Sequence, residues 1–302
     1  MSSLKGKTIL ISGVARGQGR AHALEIARRG GNVIGLDVCE QIAGIRYPLA
    51  TENDLAVTVE QVQRTGGRVV ADIADVRSQA AIDNVVARGL EEFGAIDGVV
   101  ANAGTWDLGP KVWETTEESW ATVLDVTLSG AWRMVKSAAP HLLKQRSGSI
   151  VIISSVNGVE PGPGYTSYVV AKHALLGLMR NTALEMASYN VRCNAICPGV
   201  IDTRIWNNEM GWDLFAAGGG EPTRETAIDA VYGFPALSGR SALPAQAITD
   251  GVTWLLSDSS EHVTGTKLVI DGGHLIQPGY NPAPQTTGAE ADHYRPPADA
   301  PE

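Results

Sequence analysis

Cysteine, long apolar runs and a secretion signal are scarce or missing in this chain of 302 residues, and each absence excludes a class of protein. The three cysteines, Cys39, Cys193 and Cys197, form no CxxC pair, so neither a disulfide framework nor a cysteine-rich zinc site is expected. No apolar run approaches the ~20 residues that a membrane-spanning helix needs. The N-terminus has no long apolar core and no cleavage site, unlike a signal peptide. The sequence therefore predicts a cytoplasmic protein with reduced thiols and no membrane partner.

Positive charge is in the minority. Lysine and arginine number 24 against 33 aspartates and glutamates, which gives a net charge of −9. Such a surface repels nucleic acid and anionic membranes, so neither is expected as a partner. The six histidines show no metal-ligand spacing, and no metal site is predicted. Apolar residues, by contrast, make up 44% of the chain, which suffices for a large core and excludes disorder of the whole chain.

Short apolar runs alternate with helical patterns along the chain. The runs lack the in/out alternation of a half-exposed strand, which is typical of parallel strands covered by helices on both faces. The predicted strands are 8–12, 32–38, 68–73, 96–101, 149–154, 191–196 and 267–270. The sequence therefore predicts an α/β fold: a Rossmann-type, doubly wound parallel sheet of about seven strands flanked by helices.

A glycine-rich turn joins the first predicted strand to the first predicted helix. Its glycines, Gly13, Gly17 and Gly19, surround Arg16 and Gln18 and let the backbone approach a pyrophosphate at the N-terminus of the helix. Asp37 ends the next strand, where a carboxylate holds a ribose diol and repels a 2′-phosphate. Arg16 favours the opposite cofactor, NADP, because a cation beside the loop could hold the 2′-phosphate. We expect Asp37 to dominate, so the predicted cofactor is NAD.

No second domain is indicated. Residues 1–276 form the predicted dinucleotide-binding domain, with a substrate lid at about 200–245. The segment 277–302 contains six prolines and no periodicity, so it cannot pack as a helix or an inner strand. It is interpreted either as a tail draped on the surface or as an arm across a neighbouring subunit.

Tyr168 and Lys172 lie four residues apart at the start of a predicted helix, and so share one face of it. Ser155 comes thirteen residues earlier, at the end of the fifth predicted strand. Alcohol oxidation needs a base for the hydroxyl proton, and a free tyrosine has a pKa of ~10. We expect the Lys172 ammonium and the positive nicotinamide to lower this pKa by ~2 units. Ser155 is expected to hold the substrate oxygen in line.

Taken together, these motifs resemble the short-chain dehydrogenase/reductase family, and matches run in order from about residue 7 to 273. The resemblance implies that Lys172 also binds the nicotinamide ribose. It adds further cofactor-binding residues to Tyr168, Lys172 and the glycine loop, namely Asp75, Val76, Asn102, Ala103, Gly104, Pro198, Gly199 and Thr203. Thr127 departs from the family pattern, because an asparagine that supports a bound water usually stands there. The proton relay is then expected to use backbone and water alone.

The segment 39–54 separates the second strand from its helix at the edge where the cofactor is expected to bind. Together with Gly17-Gln18-Gly19-Arg20 and Ala171-Lys172-His173, it resembles the mycofactocin-coupled, carveol dehydrogenase-like branch of the family. The resemblance implies a buried NAD that is reoxidised in place by a small redox carrier, the peptide-derived mycofactocin. A lid over a cofactor slows its release. The alternative is an ordinary surface loop with exchangeable NAD.

The lid region is rich in large apolar side chains, and these favour a hydrophobic, cyclic substrate such as a terpenoid alcohol. The candidate contacts are Trp106, Trp206 and Met210, although some such residues are expected merely to pack the lid onto the body. The leading hypothesis is NAD-dependent oxidation of a secondary alcohol to a ketone. A ketoreductase or hydroxysteroid-type dehydrogenase with freely exchanging cofactor, and a non-catalytic NAD-sensing protein, remain alternatives. By family analogy, helices around 115–140 and 168–187 build a homotetramer or a dimer.

Overall fold

A computed structural model describes residues 3–216, 221–238 and 241–277, and it shows one parallel sheet of seven strands. The strands are β1 (Thr8–Ser12), β2 (Asn32–Asp37), β3 (Val69–Ile73), β4 (Gly98–Ala101), β5 (Gly148–Ile153), β6 (Val191–Pro198) and β7 (Lys267–Ile270). Their order in the sheet is β3-β2-β1-β4-β5-β6-β7. The direction of winding reverses between β1 and β4, which is where open α/β sheets bind ligands. The predicted fold class is confirmed.

Helices cover both faces of the sheet. They are α1 (Gly17–Arg28), α2 (Glu52–Arg64), α3 (Gln79–Phe93), α4 (Glu117–Leu124), α5 (Gly130–Gln145), α6 (Thr166–Met186), α7 (Glu209–Ala216), α8 (Arg224–Val231) and α9 (Ala245–Leu256). A π-helical turn over Asp125–Ser129 joins α4 to α5. A side-chain cap fixes the N-terminus of α2, where the Thr51 hydroxyl accepts from the Asp54 amide at 3.2 Å. The helix therefore begins earlier than residue 55, at which the apolar pattern of the sequence begins.

Two apolar cores lie on the two faces of the sheet, one under α3, α5 and α6 and the other under α1 and α9. All five residues of β1 are buried, as expected for a strand covered on both sides. The strand ends differ from the prediction by one or two residues. β5 ends at Ile153, and β6 continues to Pro198, which still pairs with Ile270.

The lid region comprises α7, α8 and the segments around them. Its three consecutive glycines, Gly218 to Gly220, lie outside the described residues, as does the proline-rich tail beyond Gln277. Across the described ranges, no helix combines the length and the apolarity that crossing a membrane requires.

Three helices within the regions expected at a subunit interface expose apolar side chains. Trp120 and Trp132 are exposed on α4 and α5, and Val170 and Leu184 on α6, with Leu184 77% accessible. Trp254, by contrast, packs against the core beneath α9. The homotetramer stays a prediction.

His22 gives the fold an acid-sensitive point. It is completely buried on α1, its Nδ1 lies 2.8 Å from the Thr249 hydroxyl, and burial lowers its pKa to about 3. The unfolded chain takes up this proton near pH 6.5 and the folded chain does not, so stability falls as the pH drops from about 6.5 towards 3. We expect His22 to remove about 2 kcal/mol from the free energy of unfolding at pH 5 relative to pH 7.

Denaturant unfolding of His22→Gln at both pH values measures this effect, since the variant has no proton to take up there. The fully exposed His262 supplies the control His262→Gln. If His22→Gln loses as much stability between pH 7 and pH 5 as the wild type, another group carries the acid sensitivity.

Candidate active site

The glycine loop lies at the carboxyl end of β1 and leads into α1. Gly13 and Gly17 have φ angles of +70° and +55°, which side chains rarely adopt. A Cβ on Gly19 would lie 1.9 Å from the Gly13 carbonyl oxygen and 2.9 Å from Nδ2 of Asn102. The same Asn102 amide donates to the carbonyls of Ser12 and Gly13 at 2.9 and 3.3 Å. The loop is therefore packed so tightly that only glycine fits at position 19.

Asp37 ends β2 next to this loop. Its Oδ2 accepts the Ala15 amide at 2.9 Å. Burial raises the pKa of the Asp37 carboxyl. The backbone amides of Ala15, Cys39 and Val38 and the charge of Arg16 oppose this rise. Burial also lowers the pKa of the Arg16 guanidinium. Asp37, which favours NAD, and Arg16, which would favour a 2′-phosphate, therefore line the same cleft.

The remaining predicted cofactor residues divide between that cleft and a neighbouring cavity. Cleft residues are Gly13, Arg16, Gly17, Gln18, Asp37, Asp75, Val76, Asn102, Ala103, Gly104 and Thr203. Tyr168, Lys172, Pro198 and Gly199 line the cavity, to which Gln18, Asn102 and Gly104 also contribute. Gly19 lies beneath both and shapes the loop. Two buried polar atoms of the cleft, an Nη1 of Arg16 and Oε1 of Gln18, have no hydrogen-bond partner, and such atoms call for a polar ligand. These features fit a dinucleotide.

Residues from the segment 39–54 form one wall of the cleft, as the position of this segment in the chain suggested. Ile42, Tyr47, Leu49 and Ala50 line it. The Tyr47 hydroxyl is buried close to Arg16 and accepts the backbone amide of Trp106, and burial raises its pKa. Tyr47 was not singled out from the sequence, because only the folded chain shows that it points inward.

Three ion pairs hold this segment in place. Nε and an Nη2 of Arg46 lie 3.1 and 2.8 Å from Oδ1 of the buried Asp107, whose Oδ2 accepts from Ser119 at 2.6 Å. At the other end, Oδ1 of Asp54 lies 3.7 Å from the guanidinium groups of both Arg20 and Arg204. The segment is thus fastened to the loop after β4, to α1 and to the lid.

Ser155, Tyr168 and Lys172 meet at the cavity. Ser155 follows β5, and its side chain hydrogen bonds to the Tyr168 hydroxyl. Nζ of Lys172 donates to the Ile153 carbonyl at 2.9 Å and lies 5.3 Å from the centroid of the Tyr168 ring. Lys172 is buried, and burial lowers its pKa to about 8, so it still carries a proton at pH 7. The three residues come from two elements separated in sequence, and β5 and α6 bring them together.

The predicted lowering of the Tyr168 pKa includes the charge of a bound nicotinamide, and for that state it stays a prediction. Burial raises the pKa of Tyr168 to about 12, and the Ser155 hydrogen bond offsets this only in part. Desolvation penalises the phenolate more than these protein groups stabilise it. The phenolate therefore requires a positive charge beyond those that the chain supplies.

Thr127 lies in the π-helical turn and is fully engaged with the backbone. Its hydroxyl oxygen accepts the Thr105 amide at 3.2 Å and its proton is directed to the Thr105 carbonyl at 3.3 Å. An added Cβ on Gly104 would be 3.5 Å from Nζ of Lys172 and 3.6 Å from Oγ1 of Thr127. Thr127 thus lies near Lys172 but uses its polar group to hold the loop after β4.

The cavity has a volume of about 560 Å³. Trp106 and Trp206 line it as predicted, and their indole nitrogens donate to the carbonyls of Ile205 and Ile201 at 2.8 and 2.6 Å. Met210 does not line it; the side chain packs against the core instead. The lid contributes Leu214 and Phe234 in its place.

Three further polar residues of the cavity were missed or set aside in the sequence. No lysine follows Tyr165 four residues later, so the sequence gives it no catalytic role, yet its ring lies 5.9 Å from Trp106 and 6.3 Å from Tyr168 between centroids. Asn157 and Glu160 also face the cavity. Their position just after Ser155 was the available signal. Within the described ranges, no group of three His, Cys, Asp or Glu residues could hold a metal ion.

Comparisons with known proteins agree with this geometry. A family profile described as enoyl-(acyl carrier protein) reductase matches residues 13–274. The chain is 33% identical over 283 residues to (−)-trans-carveol dehydrogenase of Rhodococcus erythropolis, covering 92% of this chain and all of that protein. It is 37% identical over 277 residues to an uncharacterized NAD-dependent oxidoreductase of Mycobacterium tuberculosis, covering 90% and 97%.

Among solved structures, carveol dehydrogenase from Mycobacterium avium in complex with NAD matches with a TM-score of 0.89 and 36% identity. The match covers 92% of this chain and 100% of that one. The resemblance to short-chain dehydrogenases and to carveol dehydrogenase is thereby confirmed. The glycine loop, the parallel sheet and these matches along nearly the whole length lead to one conclusion: the chain belongs to the short-chain dehydrogenase/reductase family.

Proposed function

We propose that this NAD-dependent short-chain oxidoreductase oxidises a secondary, cyclic and largely apolar alcohol to a ketone, with Tyr168 as the general base. One observation carries the proposal: Ser155, Tyr168 and Lys172 meet where the apolar cavity adjoins the cleft that fits a dinucleotide. Gln18, Asn102 and Gly104 border both spaces. An alcohol in the cavity therefore has a base on one side and the cofactor cleft on the other.

The chain supplies the proton chemistry. Ser155 holds the substrate oxygen, Tyr168 accepts its proton, and the protonated Lys172 stabilises the phenolate that Tyr168 must become. Bound NAD⁺ supplies the hydride acceptor and the additional positive charge that a tyrosine with a pKa of about 12 requires. Because the base must be deprotonated, activity is expected to rise with pH.

The lining and the volume of the cavity support a cyclic, apolar alcohol as the substrate. Trp106, Trp206, Leu214 and Phe234 present apolar surface, and a cavity of about 560 Å³ holds a monocyclic or bicyclic alcohol with room to spare. A terpenoid alcohol such as carveol fits these features, and a relative bears that name.

We further propose that the NAD stays bound through many turnovers and is reoxidised in place by mycofactocin, a small redox carrier. The support is the segment 39–54, which forms one wall of the cleft and is fastened by Arg46 and Asp54. A cover held by several contacts must open before the dinucleotide leaves, which slows exchange.

Protein purified without added NAD tests both proposals. We expect denatured protein to release close to one equivalent of NAD, and carveol to reduce that NAD in a single turnover, seen as absorbance of the reduced nicotinamide. An artificial electron acceptor should then restore continuous oxidation. Loss of all NAD on dialysis, with steady turnover on free NAD, would instead identify a dehydrogenase with an exchanging cofactor.

Arg46→Ala is expected to release NAD about tenfold faster. The change leaves the buried carboxylate of Asp107 without its guanidinium partner and frees the middle of the segment 39–54. Stopped-flow exchange of bound NAD against a fluorescent analogue measures the rate. Arg64→Ala removes an exposed ion pair with Glu60 on α2 and is the control. Equal release rates in all three proteins would contradict a clamp at Arg46.

A further inference from the structure

The substrate cavity is lined by polar as well as apolar side chains. Three of the polar ones, Asn157, Glu160 and Tyr165, follow Ser155 in the chain. Asn157 hydrogen bonds to the Tyr165 hydroxyl, whereas Glu160 contacts His274 through one oxygen and can accept at the other. A purely apolar alcohol would make no hydrogen bond to this carboxylate. Glu160 therefore favours a second polar group on the substrate.

Glu160 is held in place by His274. Its Oε1 lies 2.6 Å from Nε2 of His274, and Nδ1 of His274 lies 3.2 Å from the Phe234 carbonyl. The Phe234 ring, which lines the cavity, stacks on the imidazole at 5.0 Å between centroids. His274 comes from the turn after β7, so the carboxylate is fixed by an element that lies 114 residues away in the chain.

This arrangement leaves Glu160 with spare acceptor capacity. One ring nitrogen of His274 faces the Glu160 carboxylate and the other faces the Phe234 carbonyl. Within the described residues, Oε2 of Glu160 has no hydrogen-bond partner in the protein, although a carboxylate accepts at both oxygens and this side chain is 32% exposed. A neutral donor suits this oxygen better than a cation, because much of the cavity lining is apolar and would desolvate an ammonium group.

We propose that the substrate carries, besides the alcohol that is oxidised, a second hydroxyl group that donates a hydrogen bond to Glu160. The substrate class is thus an alicyclic diol, with one hydroxyl recognised by Ser155 and Tyr168 and the other by Glu160. This inference rests on the proposed function for the reacting end. Glu160 acts as a specificity-determining residue, and His274 is the positioning residue that holds it.

The test compares decalin-2-ol with decalin-2,6-diol, which differ by one hydroxyl. Their affinities are measured by calorimetry in the Tyr168→Phe background with NAD present, so that the result does not depend on turnover, and kcat/KM is measured in the unaltered protein. We expect the diol to be favoured about tenfold or more by both measures, since a hydrogen bond to a charged group is among the stronger ones.

Glu160→Leu should abolish the preference, and Glu160→Gln, which keeps a neutral acceptor, should reduce it. Both should act by weakening the diol and should leave the mono-alcohol within about twofold. Glu60→Gln, an exposed substitution on α2, should preserve the preference. Equal affinities in the unaltered cavity, an equal loss for both ligands in the Glu160 variants, or a stronger preference for 6-aminodecalin-2-ol would each overturn the inference. The first comparison needs no Glu160 variant and stands even if those variants fail to fold.

The two proposals fail separately. If neither alcohol reduces NAD but the diol binds more tightly through Glu160, the proposed oxidation is wrong and the second-hydroxyl site remains. If both alcohols are oxidised with the same kcat/KM, the oxidation stands and the role given to Glu160 is wrong.

Discussion

Tyr168→Phe is expected to lower the rate of alcohol oxidation by about 10³-fold, within the range that general base catalysis contributes. The substitution removes the phenolic oxygen that hydrogen bonds to Ser155. It keeps the ring, whose centroid lies 5.7 Å from that of Trp106, so the cavity should retain its shape. The measurement is the single-turnover rate of nicotinamide reduction, with the affinity for alcohol determined separately.

Tyr189→Phe is the matched control, because it deletes a hydroxyl from a tyrosine near the end of α6 that contacts Arg146 at the surface. Its turnover should equal that of the unaltered protein. If Tyr168→Phe also oxidises alcohol at the normal rate, Tyr168 is not the general base and another group accepts the hydroxyl proton.

Gly19→Ala is expected to weaken NAD binding at least 100-fold. The new methyl group would lie 1.9 Å from the Gly13 carbonyl oxygen, so the loop must move away from the position where it cradles the dinucleotide. The displaced atom belongs to the backbone and cannot turn aside as a flexible side chain would. Calorimetry on protein freed of nucleotide, or the equivalents of NAD retained after purification, measures the loss.

Gly177→Ala adds the same methyl group to a helix at a place where nothing lies within 4 Å of it. We expect this control to bind NAD normally and to gain up to about 1 kcal/mol of stability, because alanine is the better helix former. Normal NAD binding by Gly19→Ala would mean that the loop tolerates a displacement that its packing argues against.

The positions of the glycine loop and of Ser155 could be predicted from the sequence because each follows a strand. β1 and β5 are short apolar runs, and the carboxyl ends of parallel strands share one edge of the sheet. The sequence therefore places Gly13 and Ser155 at the same edge. Tyr168 followed from its spacing to Lys172, which a helix converts into proximity.

Other properties depend on contacts that no local pattern contains. In the chain without cofactor, the pKa of Tyr168 rises to about 12 because burial disfavours the phenolate, and the spacing to Lys172 does not reveal this burial. Arg46 finds Asp107 across 61 residues, and Glu160 finds His274 across 114. Single side chains that meet only after folding leave no periodic trace in the chain.

The hydrogen bond between the Trp106 amide and the Tyr47 hydroxyl has a consequence for protein engineering. Tyr47 belongs to the wall of the nucleotide cleft, and Trp106 to the wall of the alcohol cavity. The wall of the nucleotide cleft and the wall of the alcohol cavity are therefore joined by this contact. Shortening the segment 39–54 to obtain a freely diffusing coenzyme would also shift the indole against which the alcohol packs, so coenzyme exchange and substrate choice cannot be tuned independently in this scaffold.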